Sequence, residues 1–190
     1  MLGRAFVDDP AICAIVGEGS ASERIKRMTG LFGIILATHR RDGQPVVGVI
    51  ADGVVAGAAI FEQVERPEGA IAAAIRGLPF TPAMLKALGV QGVRRALTAL
   101  DVVARNRPAD PHLYLGVLGV EPARQGRHCG VAMLDYLRDQ AALRADLSGV
   151  YLETATAANV AFYTKAGYET VGELTLLGVR IWQMLQRRRP

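Results

Sequence analysis

Gln125-Gly126-Arg127-His128-Cys129-Gly130 stands between an apolar run and a stretch of helical periodicity. That placement has a chemical meaning. The first backbone N–H groups of a helix lack intrahelical acceptors, and the helix dipole is positive at that end. Glycine lets the backbone approach a bulky anion closely. Arg124 and Arg127 add cationic side chains to the same turn. The segment therefore reads as an anion site suited to a pyrophosphate. Metal and disulfide chemistry find no such support. Cys13 and Cys129 lie far apart, and His39, His112 and His128 share no ligand spacing.

The flanking segments must position this turn. His112–Val120 suits a buried strand, and Glu121–Gly130 is the turn itself. Val131, Leu134, Leu137, Ala141 and Leu143 give Val131–Ala145 a helical period. Ser148-Gly149 breaks that helix, and Val150–Thr154 is a short strand. Ala157–Ala166 is a short helix stopped by Gly167. Tyr168–Leu174 and Val179–Leu185 are two strands around a turn at Gly178. Upstream, Asp8-Asp9-Pro10 reads as a turn or helix start. Ser20 and Ser22 are N-cap candidates before Glu23–Thr38, where Ile25, Met28, Leu31, Phe32 and Ile35 form one stripe. Asp52-Gly53 between Pro45–Ala51 and Val54–Gln63 predicts a hairpin. Residues 64–80 read as a loop with one short helix, Thr81-Pro82 starts another helix, and Gly92–Asn106 forms a further one. The expected class is α+β with a mixed sheet.

Two stretches carry a family resemblance. Leu118-Gly119-Val120-Glu121-Pro122-Ala123-Arg124-Gln125-Gly126, followed by Gly130, resembles the acetyl-CoA motif of the GNAT superfamily of N-acetyltransferases. Asn159-Val160-Ala161-Phe162-Tyr163-Thr164-Lys165-Ala166-Gly167-Tyr168 is similar to that superfamily's second motif, at a matching separation. Ile181-Trp182-Gln183-Met184 resembles its last strand, and Ala5-Phe6 with Asp8-Asp9-Pro10 a first-helix motif of one bacterial branch. The resemblance implies a mostly antiparallel sheet flanked by helices. It also implies a splayed parallel pair, His112–Val120 and Val150–Thr154, at an acyl-CoA groove. The strand that opens the family's fold has no counterpart before the first helix. The expectation is that this strand is absent or that the start site is misplaced; in the first case a sheet edge is exposed or covered by a partner chain such as a second copy in a homodimer.

The resemblance further implies an N-acetyltransferase that moves the acetyl group of acetyl-CoA directly to a primary amine of a small molecule or peptide. The backbone of Leu118, Gly119 and Val120 would pair with the pantetheine arm. Arg124, Gln125, Gly126, Arg127, His128, Cys129 and Gly130 would hold the pyrophosphate. Tyr163 would be the general acid for the CoA thiolate. Asn159 would bond a pantetheine amide or cap its helix. Glu153, ending a strand beside the groove, is the candidate base or amine holder, weighed equally against a solvated or ion-paired carboxylate. Glu62 comes next, Glu121 is expected to be exposed, and His112 reads as a core histidine. His128 stands where the family usually has glycine, so its side chain crowds or hydrogen-bonds the pyrophosphate. Cys129 is not expected to carry the acyl group, and no metal is implied. The alternative is a module of this fold that binds acyl-CoA without turnover.

Composition bounds the rest. The chain has 190 residues, 51% hydrophobic and 21% charged, which predicts one domain over 1–190. It has neither an apolar run long enough for a membrane span nor a signal-like start, so a cytoplasmic protein without a membrane partner is expected. Arg187, Arg188 and Arg189 supply three of the net +4 charges, and 187–190 is expected to fray as a basic tail. Aromatics at 6% speak against a nucleic-acid face. Residues 64–110 hold Arg76, Lys86, Arg94, Arg95, Arg105 and Arg107 against few acids. That balance does not suit a polyamine acceptor, and leaves open a small amine, an amino-acid-like molecule or a peptide N-terminus.

Overall fold

The computed structural model describes residues 1–65 and 81–188. Asp52 and Gly53 both take positive φ, 53° and 75°, as a two-residue primed turn requires. They join strands β1 (Val46–Ala51) and β2 (Val54–Val64). Leu177 and Gly178, with φ of 50° and 83°, do the same for β5 (Glu169–Leu176) and β6 (Val179–Arg187). Between the hairpins lie β3 (His112–Val120) and β4 (Gly149–Thr154). The sheet order is β1-β2-β3-β4-β6-β5. Every neighbouring pair is antiparallel except β3 and β4.

Helices cover both faces. On one face, α5 (Cys129–Ala142) and α6 (Ala157–Lys165) bring Leu134, Leu137 and Tyr163 onto Leu113, Leu115, Val150 and Leu152. The other face takes α1 (Leu2–Ala5), α2 (Pro10–Val16), α3 (Ala21–Arg41) and α4 (Thr81–Asn106). There Met28, Leu31 and Phe32 of α3 and Leu88 and Ala96 of α4 pack on Ile60 and Val117. Each such large side chain contributes roughly 1.5–3 kcal/mol on burial. Ser20 starts α3 with a reciprocal cap: its hydroxyl accepts from the Glu23 N–H at 3.3 Å, and Glu23 accepts from the Ser20 N–H at 2.8 Å. The two helices predicted around Thr81 and Gly92 form one element broken at Gly89, whose φ of 65° and ψ of 175° are not helical. Among the described residues no helix is long and apolar enough to cross a membrane.

The first element is α1, and among the described residues no strand precedes it. β1 is consequently a sheet edge, with Ile50 71% exposed. Gly149 lies where β4 meets β6: a Cβ there would stand 2.0 Å from the Gln186 carbonyl oxygen. The basic tail needs correction. Arg187 belongs to β6 opposite Gly149, and the Arg188 N–H donates to the Ser148 carbonyl at 2.9 Å. Backbone pairing holds both residues, which composition alone does not reveal. Arg189 and Pro190 lie outside the described residues, as does the loop and helix expected over 66–80.

Candidate active site

The parallel ladder between β3 and β4 is short. It pairs Leu113, Tyr114 and Leu115 with Val150, Tyr151 and Leu152 and goes no further. β3 meanwhile stays paired to β2 as far as Val120. The register with β2 shifts so that Leu115 faces Phe61 and Val117 faces Ile60, leaving Gly116 as an inserted residue. A bulge of this kind bends and twists its strand, and here it coincides with the point where β3 leaves β4. Leu118, Gly119 and Val120 therefore have β2 on one side and no β4 partner on the other. α1 lies close over this half of β3: a Cβ on Gly119 would come within 2.6 Å of Leu2 and 3.0 Å of Phe6.

β3 leads through a short 3-10 turn, Pro122–Arg124, to α5. His128 precedes α5 in the left-handed conformation, φ 61° and ψ 7°, and its side chain makes no cap. The first N–H groups of α5 are thus left to a ligand or solvent. This backbone conformation explains the glycine usual at that place, because a Cβ there costs about 1–2 kcal/mol. Gly126, at φ 76°, has open space where a Cβ would sit. Gln125, Gly126, Arg127 and His128 are exposed, while Cys129 is buried as the first residue of α5. Arg124 is not the mobile charge expected: its Nη1 donates to Asp52 Oδ2 at 2.7 Å, tying the turn to the β1–β2 hairpin. Glu121 likewise is not free, since Arg4 reaches its two oxygens at 3.0 and 2.7 Å. The residues present fit a pyrophosphate, with unpaired N–H groups, an open glycine and Arg127 on one side of the turn.

α6 places Tyr163 in the core, 7% exposed, with ring centroids 5.2 Å from Phe162 and 5.6 Å from Tyr168. Burial pushes the Tyr163 hydroxyl well above the usual phenol range, and the charge of Asp9 adds to the rise. Asp9 caps α2 through its side chain, accepting from the Ile12 N–H at 2.9 Å. The cap role considered for Asn159 is corrected: Thr156 is the N-cap of α6, and its hydroxyl accepts the Asn159 N–H at 3.2 Å. Asn159 sits inside the first turn, with its side chain half-buried. Phe162 of the same helix touches the start of α5, 3.1 Å from a Cβ placed on Gly130.

Glu153 is the first residue of β4 past the parallel pairing. The residue is half-buried and forms no direct ion pair among the described residues. Its Oε1 is buried and has no hydrogen-bond partner among the described residues. Burial pushes its carboxyl above the ordinary carboxylate range, against hydrogen bonds from Tyr114, the charge of Arg107 and a hydrogen bond from Tyr151. The partners are themselves fixed. Gln183 donates to the Tyr151 hydroxyl at 2.7 Å and to the Asn106 carbonyl at 2.6 Å. The Arg107 guanidinium lies 3.7 Å from the centroid of the Tyr114 ring and donates to Glu62 at 3.1 Å. Glu62, the second carboxylate considered, is therefore occupied by Arg107. His112 is fully buried, bonded through Nδ1 to the Asp110 carbonyl at 2.8 Å, and burial pulls its pKa down, so it is a neutral core histidine.

The sequence matches the profile of the acetyltransferase (GNAT) family over residues 20–168. The chain belongs to this family. It is an acyltransferase, and acetyl transfer is its general activity. Solved structures agree in fold. A Corynebacterium glutamicum protein described as histone acetyltransferase HPA2 and related acetyltransferase is 18% identical, with a TM-score of 0.70, over 100% of this chain and 88% of that one. A ribosomal-protein-alanine N-acetyltransferase from Brucella melitensis is 17% identical, with a TM-score of 0.55, over 98% and 90%. Naa20 from Chaetomium thermophilum, solved with a bisubstrate analogue, is 14% identical, with a TM-score of 0.53, over 98% and 80%. α5 and α6, which carry the two expected motifs, both pack against β3 and β4 in one core cluster. Sequence reasoning missed Tyr114, Tyr151, Arg107 and Gln183. The one available signal was alternation: Tyr114 shares a β3 face with His112, and Tyr151 shares a β4 face with Glu153.

Proposed function

We propose that this acetyltransferase takes its acetyl group from acetyl-CoA and gives it to a primary amine. The carrying observation is the end of parallel pairing at Leu115 and Leu152, past which Leu118, Gly119 and Val120 keep a free edge and α5 begins without a side-chain cap; on this reading Tyr163 and Glu153 stand beside that gap. The edge of Leu118, Gly119 and Val120 pairs with the pantetheine amides as an added strand would. The α5 N–H groups and Arg127 hold the pyrophosphate. The amine nitrogen attacks the thioester carbonyl, the C–S bond breaks, and the electron pair leaves on sulfur. Tyr163, with its raised pKa, keeps its proton and steadies the departing thiolate mainly by hydrogen bonding. Glu153 is the final proton acceptor. Its Oε1 is buried, so one water or the Tyr114 hydroxyl carries the proton to it.

Thermal melting with acetyl-CoA and free-thiol release with a panel of amines test this reading. A ligand at about 100 times its dissociation constant adds roughly 2.7 kcal/mol to stability, worth several degrees in a chain of this size. No shift at millimolar acetyl-CoA would overturn the donor assignment. A second reading, acyl-CoA binding without turnover, draws on the enclosed Oε1 of Glu153. It predicts a full melting shift with no thiol release from any amine.

A further inference from the structure

A cleft of about 950 Å³ opens between the end of α2, α3, the kinked part of α4 and the β5–β6 turn. Its charged lining is Arg27, Lys86 and Arg95 against Glu18 alone. The two arginines are held in place by the backbone at the end of α2. Arg95 Nε donates to the Ile15 carbonyl at 2.9 Å, and Arg27 Nη1 donates to the carbonyls of Val16 and Glu18 at 3.2 and 2.6 Å. None of the three cations forms a salt bridge with another described residue. By contrast, Arg105 and Arg107 of the same basic stretch are paired, with Asp101 and Glu62. The cleft thus gathers three cations of which Arg27 has the charge of Glu23 nearby and Lys86 and Arg95 have no salt bridge among the described residues.

The cleft is joined to the reaction site by one short helix. Cys13 of α2 and Leu177 line the cleft, and Ala11 and Ile15 of α2 pack in one cluster with Leu177 and with Ala155, two positions past Glu153. Seven residues of α2 rise about 10 Å. An extended peptide covers that span in about three residues.

We propose that the cleft receives the carboxylates of the acceptor, and that the acceptor is a peptide with a free N-terminal amine and acidic side chains at about its third and fourth positions. This rests on the amine-acetylating reading above. Arg27 and Arg95 provide fixed positive charge, Lys86 a flexible one, and the site itself supplies no competing carboxylate beyond Glu18. A lysine-rich N-terminus would meet like charge.

The test uses the full chain, acetyl-CoA and hexapeptides differing only at positions 3 and 4, with Glu-Glu, Ala-Ala or Lys-Lys there, and free glutamate as a small carboxylate-bearing amine. The expected result is a kcat/KM about tenfold higher for Glu-Glu than for Ala-Ala, carried by KM, with Lys-Lys lowest and glutamate poor. Lys86→Glu, at an exposed position, removes that preference by raising KM for the Glu-Glu peptide. Equal kcat/KM for the three peptides, or a preference that survives Lys86→Glu, overturns the proposal. Preference for free glutamate over every peptide replaces the peptide with a small molecule and also overturns it. Fluorescence anisotropy of labelled peptides on the CoA-bound protein gives the same comparison without turnover. If no amine is acetylated but Glu-Glu peptides still bind more tightly, the transfer reading falls and the cleft assignment stands.

Discussion

Replacing Glu153 with glutamine removes a charge while keeping the size of the side chain and an oxygen for the phenols of Tyr114 and Tyr151. Two effects of opposite sign should follow. The reaction loses its final proton acceptor, and the rate should fall by about 10²–10⁴. The fold loses a carboxylate whose Oε1 is buried without a partner, and stability should rise by about 0.5–2 kcal/mol. At about 2–4 °C per kcal/mol for a chain of this length, that is a gain of several degrees in Tm. The sign follows from linkage. The folded-state pKa of Glu153 is raised by burial, so the folded chain holds this proton more tightly than the unfolded chain does. Its contribution is fully present below the ordinary carboxylate range and is lost as pH rises through the raised folded value. The Tm advantage of the variant should therefore vanish in acid, grow across that window and level off above it. The assays are thermal melts of both proteins from acid to neutral pH and thiol release at saturating acetyl-CoA. A Tm advantage independent of pH would mean that no buried charge is being removed. A rate within threefold of wild type would remove Glu153 from the mechanism altogether.

Three further outcomes are expected. Tyr163→Phe should lower kcat by about 10²-fold and leave the acetyl-CoA melting shift intact; a lost shift would make the hydroxyl a binding group instead. His128→Gly should raise Tm by up to about 4 °C by relieving the left-handed backbone, whereas His128→Ala should give no gain, since its Cβ meets the same strain. Gly149→Ala should cost at least about 3 kcal/mol, because its Cβ would press on the Gln186 carbonyl; a chemical melt within 1 kcal/mol of wild type would show that β4 and β6 separate easily.

Local chemistry was legible in the sequence. The primed turns at Asp52-Gly53, the cap at Ser20, the proline start of α2 and the helix stop at Gly167 depend on neighbours a few residues away. So does the anion-binding turn before α5. Residues 112–168, with their two motifs, were enough to indicate the family and the order of the elements around the gap. The resemblance also singled out Tyr163 as a candidate acid, and the position of Glu153 at a strand end made it a candidate base.

What the sequence could not determine is which polar groups meet across distance. Arg4 with Glu121, Asp52 with Arg124 and Glu62 with Arg107 are 117, 72 and 45 positions apart, and no periodicity relates such partners. The state of Glu153 is likewise a tertiary property. Its raised pKa comes from burial, which outweighs the opposing pull of Tyr114, Arg107 and Tyr151, groups brought together by strand register and the end of α4. The cationic cleft exists because Gly89 breaks α4 and because α2 ends against Arg27 and Arg95. Short-range chemistry was written in order along the chain, whereas dielectric and charge pairing arise only when the sheet brings distant segments into contact.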